Sequence, residues 1–213
     1  MKTCMKDSMM TLGSNKPTRR GFLGAAAGMV AMTALPGMAK ALSGNEAKAL
    51  IGRAVSEING IINSGKPESS MYGEFERVFA KYAYVDGIAR SVLGPPARTA
   101  SKAEMDAFAA AFQGYMARKW GKRFREFIGG EIVVEGTKQI KSFYEVQATA
   151  YLKGEPPFEV IFMVSDISGK PLFFDMLIEG VSLLKTERTE IGAMLDKRRG
   201  DLSAMIEDLK RAG

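Results

Sequence analysis

The sequence predicts an α+β domain: a curved four-stranded antiparallel sheet packed against a set of helices, with an apolar cavity between them. Three observations carry the prediction. Helical spacing of apolar residues runs from residue 45 to 128, four stretches rich in β-branched and aromatic residues follow up to Gly180, and helical spacing then returns.

Residues 45–63, NEAKALIGRAVSEINGIIN, place Leu50, Val55, Ile58, Ile61 and Ile62 mostly on one helical face before SGKPESS breaks the pattern. A shorter helix is predicted from Met71 to Tyr82, with Phe75, Val78, Phe79 and Tyr82 together. A third, VDGIARSVLG, stops at Gly94-Pro95-Pro96, because proline cannot donate to the helix. Ser101 and Glu104 have the spacing of a capping box, in which hydroxyl and carboxylate satisfy free amides at a helix start. The helix they open is long. Met105, Phe108, Ala109, Phe112, Tyr115, Met116, Trp120 and Phe124 recur at steps of three or four as far as Ile128, and Gly129-Gly130 end it.

EIVVEGTK, FYEVQATAYLK, FEVIFMVSDI and KPLFFDMLIEG read as the four strands of a meander. In the second, Tyr144, Val146, Ala148, Ala150 and Leu152 form a dry face, opposite Phe143, Glu145, Gln147, Thr149 and Tyr151. The third is apolar on both faces. On the fourth, Phe174, Met176 and Ile178 form an apolar face opposite Asp175 and Glu179. Two further helices, TERTEIGAMLDKRRG and, capped by Asp201, LSAMIEDLKR, complete the chain.

Residues 18–41, TRRGFLGAAAGMVAMTALPGMAKA, are uncharged from Gly21 to Ala39 but rich in glycine and alanine, which makes a weak membrane anchor. Thr18-Arg19-Arg20-Gly21-Phe22-Leu23 resembles a twin-arginine export signal, and Ala39-Lys40-Ala41 supplies a small-x-small cleavage pattern. Residues 1–41 are therefore expected to be a cleaved signal peptide and residues 42–213 a single domain.

The chain carries 30 basic and 24 acidic residues, a net +6. Residues 1–41 hold six of the former and one of the latter, so the remainder carries only +1 and gives no reason to expect nucleic-acid binding. Cys4, the sole cysteine, lies in the export segment, and there is no histidine. The commonest general base and the commonest transition-metal ligand are absent together, which argues against a catalytic site, a metal site or a cofactor. Asp175 and Glu179 are separated by about 13 Å of strand, outside the roughly 5–9.5 Å of a glycosidase pair. Ser182 has no histidine to activate it.

Two alanines in the middle of an apolar sheet face leave room that helix side chains or a ligand must fill. The 14 methionines suit a ligand, being adaptable in shape. FFDMLIEGVSLLKTERTEIGAML and GDLSAMIEDL closely resemble the end of the MlaC family of periplasmic phospholipid-binding proteins. The matched elements are Asp175, Ile178 to Leu183, and Arg188; YVDGIARSVLG and the long helix extend the likeness over Tyr84 to Leu209. The chain departs from the family at Pro171-Leu172-Phe173-Phe174, where a tryptophan usually precedes the last strand's acidic residue, and at Thr186-Glu187, where asparagine-tyrosine is usual.

The resemblance implies a periplasmic carrier that does no chemistry. It would shuttle phospholipid, or a related membrane lipid, between an inner-membrane ABC lipid transporter complex and an outer-membrane lipoprotein complex. Some relatives are associated with hopanoids, so a polycyclic lipid is the alternative cargo; an enzyme acting on a small apolar substrate, or a structural adaptor, is the alternative from another class. The residues expected to line the lipid cavity are Val146, Ala148, Ala150, Phe174, Met176 and Ile178 from the sheet and Phe108, Phe112, Tyr115 and Met116 from the long helix. The resemblance also suggests that Glu179, Gly180 and Arg188 fix the strand-to-helix corner through an ion pair. RKWGKRFR, Arg118 to Arg125, is expected to turn its aromatics inward and its charges to solvent, an anionic headgroup or an acidic partner.

Overall fold

The computed structural model describes residues 41–123 and 128–213. The export segment, but for Ala41, and Phe124 and Arg125 of the basic cluster lie outside them.

Four helices come first: α1 (Gly44–Ile62), α2 (Glu68–Tyr82), α3 (Val85–Leu93) and, after a 3-10 turn at Pro95–Arg98, α4 (Lys102–Arg123). Five strands follow, β1 (Glu131–Ile140), β2 (Phe143–Tyr151), β3 (Phe158–Ser165), β4 (Leu172–Ile178) and β5 (Val181–Ser182), then α5 (Leu183–Lys197) and α6 (Leu202–Leu209). The sheet is an open antiparallel meander in strand order β1 to β5.

Local chemistry sets the helix starts. Ser43 and Glu46 form a capping box at α1, the Ser43 amide donating to Glu46 Oε2 at 2.9 Å. Ser101 and Glu104 do the same at α4, and the hydrogen bonds to the Glu104 carboxylate, from the Ser101 side chain first, hold its pKa below the usual range. Asp201 Oδ1 accepts the Ala204 amide at 2.9 Å and caps α6. No described helix is long and apolar enough to cross a membrane.

The sheet differs from the expected four strands in two ways. A fifth strand, only Val181–Ser182, folds back on β4 through a two-residue turn and leads directly into α5, which starts three residues earlier than the sequence pattern indicates. A bulge also interrupts β4: Met163 pairs with Asp175 and Val164 with Phe173, so Phe174 is the extra residue. Phe173 takes the expected place of Phe174 on the helix-covered face, alongside Met176 and Ile178. The Phe174 ring meets Phe143 edge-on at 5.5 Å.

Two cores result. Helices α3, α5 and α6 enclose the first half of α4, burying Phe108 and Phe112 completely with Ile191, Met205 and Leu209. Helices α1 and α2 cover the sheet, burying Ile51, Phe75, Val146, Ala148, Ala150 and Val164.

Candidate functional site: an apolar cavity open at one end of the sheet

Between the two cores lies a cavity of about 340 Å³, within the roughly 300–1,000 Å³ of small-molecule sites. Its helical wall comes from Ala54, Val55 and Ile58 of α1, from Phe75, Val78 and Phe79 of α2, and from Met116, Ala117 and Trp120 of α4. These residues stand three or four apart, as one helix face requires. The sheet wall is Phe158, Val160 and Phe162 of β3 and Met176 and Ile178 of β4, alternate residues of each strand, with Phe173 beyond the bulge. The lining is apolar except at the sheet end, where exposed Arg123, Glu155 and Glu179 border the opening.

Close approach elsewhere frames the space. Gly121 lets α4 meet α2 so tightly that a Cβ there would lie 2.6 Å from the Tyr72 ring and 3.3 Å from that of Phe75. Tyr82 and Lys81 of α2 each donate to Glu57 Oε1 of α1 at 2.6 Å, pinning the two helices and holding the Glu57 pKa below its usual value, with the Lys81 bond the larger cause.

The expected lining residues divide. Met116, Met176 and Ile178 border the cavity. Val146, Ala148 and Ala150 lie in the closed packing beneath α1, because the small side chains admit the helix instead of leaving a void. Their row neighbours reach the cavity: Ala150 pairs with Ile132 and Phe158, Ala148 with Val160. Phe108, Phe112 and Tyr115 belong to the helical core, with the Phe108 and Phe112 rings stacked at 5.9 Å. Phe112 and Phe174 border only a small void of about 30 Å³, separated from the main cavity by Phe79, Met116, Phe173, Met176 and Leu183. The contribution of α1 and α2 was not read from the sequence; Ala54-Val55 and Ile58, two turns of small and branched residues, were its signal.

Polar groups around the cavity hold structure. Asp175 is buried and accepts from the Met176 amide at 2.8 Å, the Leu184 amide at 3.0 Å and the Ser182 hydroxyl at 2.7 Å. It, and not a Glu179–Arg188 ion pair, fixes the corner from β4 to α5. The exposed Arg188 guanidinium packs against Gly94 instead, whose φ of 72° would itself resist a side chain.

The basic cluster is largely committed too. Arg118 donates to the Ala212 and Leu209 carbonyls at 2.8 Å each, satisfying the end of α6, and Lys122 donates to the Gly213 carbonyl oxygen at 2.6 Å. Lys119 donates to Glu187 at 2.8 Å, Glu190 at 2.6 Å and the Tyr115 hydroxyl at 3.1 Å. Glu187, one of the departures from the family pattern, is 1% exposed and would be an isolated buried charge without Lys119. Burial, then the nearby Glu187 carboxylate, push the Tyr115 phenol above its usual pKa, so it stays a donor. Among the described residues, no group of three or more His, Cys, Asp or Glu could hold a metal ion.

The family model described as MlaC protein matches residues 53–211. A solved structure of a phospholipid-binding protein from Ralstonia solanacearum, in complex with a phospholipid, resembles this chain with a TM-score of 0.66 and 15% identity, covering 78% of this chain and 95% of that one. At that identity the likeness establishes a shared fold.

Proposed function

Because the chain belongs to the MlaC family, we propose that it is a periplasmic carrier, exported through its twin-arginine segment, that encloses the acyl chains of a phospholipid. It passes the lipid between an inner-membrane ABC transporter complex and an outer-membrane lipoprotein complex. The observation that carries this reading is the cavity between sheet and helices, lined by apolar side chains except at Arg123, Glu155 and Glu179. The phospholipid bound by the Ralstonia relative supports it.

The energetics require such an enclosure. At about 0.8 kcal/mol per methylene, two chains with some thirty methylenes would cost roughly 20 kcal/mol or more to leave in water. A carrier therefore hides the tails and leaves the headgroup at the opening. Two chains need more room than the main cavity offers, and the partition toward the small void contains Met116 and Met176, unbranched side chains that repack at low cost. The reading assigns no chemistry to the protein, only a matched apolar environment for lipid in transit.

Ile58→Trp and Met176→Trp test the proposal, each filling the cavity from a partly exposed position on a different wall. The parent protein purified from its own periplasm should carry phospholipid by native mass spectrometry, and both variants should be folded and empty. A folded parent with no lipid, or variants with undiminished lipid, would count against the carrier.

A further inference from the structure

The opening of the cavity has a charge pattern that the carrier reading does not use. On the helical wall, the Arg123 guanidinium lies 5.6 Å from the centre of the Trp120 ring and has no ion-pair partner among the described residues. On the other side, Glu155 from the loop after β2 and Glu179 from the turn after β4 also border the cavity, and neither carboxylate has a partner among the described residues.

Glu179 stands in an unfavourable backbone position to be there. The turn from β4 to β5 has two residues, with φ of 48° at Glu179 and 78° at Gly180. Such a turn needs left-handed conformations at both residues and favours asparagine, aspartate or glycine at the first. Glutamate in that conformation is strained, and strain of this kind persists where the side chain serves the site.

Resting on the carrier reading, we propose that the opening selects a zwitterionic lipid headgroup, its phosphate received by Arg123 and its ammonium by Glu155 and Glu179. Two carboxylates against one guanidinium leave the rim net negative. A lipid with an anionic headgroup and no ammonium adds to that surplus, whereas a phosphoethanolamine head, carrying no net charge, adds nothing and sets its ammonium against a carboxylate. All three charged groups are exposed, so the discrimination is modest, roughly three- to fivefold.

The full chain, stripped of lipid, is equilibrated with vesicles holding equal amounts of phosphatidylethanolamine and phosphatidylglycerol with identical acyl chains, and its bound lipid is counted by mass spectrometry. The ethanolamine lipid should be enriched about three- to fivefold. In Glu155→Gln/Glu179→Gln the enrichment should vanish at unchanged total loading. Glu179→Asn should lower it in part while raising the melting temperature, since asparagine suits the turn. Arg123→Gln should lower loading of both lipids, which share the phosphate. Equal loading of the two lipids by the parent, or enrichment that survives in the double variant, overturns the headgroup assignment and leaves the carrier standing. A parent that takes up neither lipid overturns the carrier itself.

Discussion

The two halves of α4 present the same kind of apolar stripe to different surroundings. Phe108 and Phe112 in the first half, with Tyr115 just past the midpoint, are sealed by α3, α5 and α6, whereas Met116, Ala117 and Trp120 farther along face the cavity beside α1, α2 and the sheet. Periodicity is the same in both. The difference lies in what arrives to cover the helix: α3, α5 and α6 over the sealed part, α1, α2 and the sheet around the open one. Emptiness here depends on the elements that cover the helix, not on missing hydrophobicity.

The sharpest way to break that comparison is to exchange volume between the halves. Phe112→Ala enlarges the small void behind the Met116 and Met176 partition and should cost about 3–5 kcal/mol in urea unfolding, with lipid per folded molecule undiminished. Met176→Trp, which adds volume across from the open half, should cost less, about 1–3 kcal/mol, and remove the lipid. If both changes altered lipid and stability together, the halves would be one continuous site.

Lys119 stands at the boundary and ties the open half of α4 to α5. Lys119→Met removes the partner of an almost fully buried Glu187, one of whose carboxylate oxygens already lacks a hydrogen bond among the described residues. The expected cost is about 3 kcal/mol, since the pair is broken and the charge remains. Adding Glu187→Leu should recover most of it, because the buried charge goes too. A double variant no more stable than Lys119→Met would mean that the lysine acts through Glu190 and Tyr115 rather than through Glu187.

Local signals in the sequence were enough for much of the architecture. The Ser101–Glu104 and Asp201 caps, the proline stop after α3 and the alternation along β2 each act within a few residues, and each appears in the fold. Long-range features were not legible. Glu187 reads as a solvated helix residue until Lys119, 68 residues away, is brought beside it. The bulge at Phe174 depends on register with β3, so strict alternation put Phe174 where Phe173 stands. Ala148 and Ala150 carried a correct message about volume, but the side chains they make room for belong to α1, which a single strand cannot reveal.

The smallest expected effect concerns the outer edge of the Lys119 cluster. The Glu190 carboxyl is held below its ordinary value of 4.5, chiefly by the hydrogen bond from Lys119, against an opposing effect of burial. The folded protein therefore binds that proton more weakly than the unfolded chain. Its contribution to stability is complete above the ordinary value and is lost as the pH falls through the depressed one. With its side chain 46% exposed, Glu190 is screened by water, and the gain at neutral pH is no more than a few tenths of a kcal/mol, roughly the weight of a surface pair. Glu190→Gln should accordingly unfold at nearly the parent's urea midpoint at pH 7 and lose slightly less stability between about pH 5 and 3. Identical slopes in that interval would mean that the Lys119–Glu190 pair adds nothing to the acid sensitivity of this end of α4.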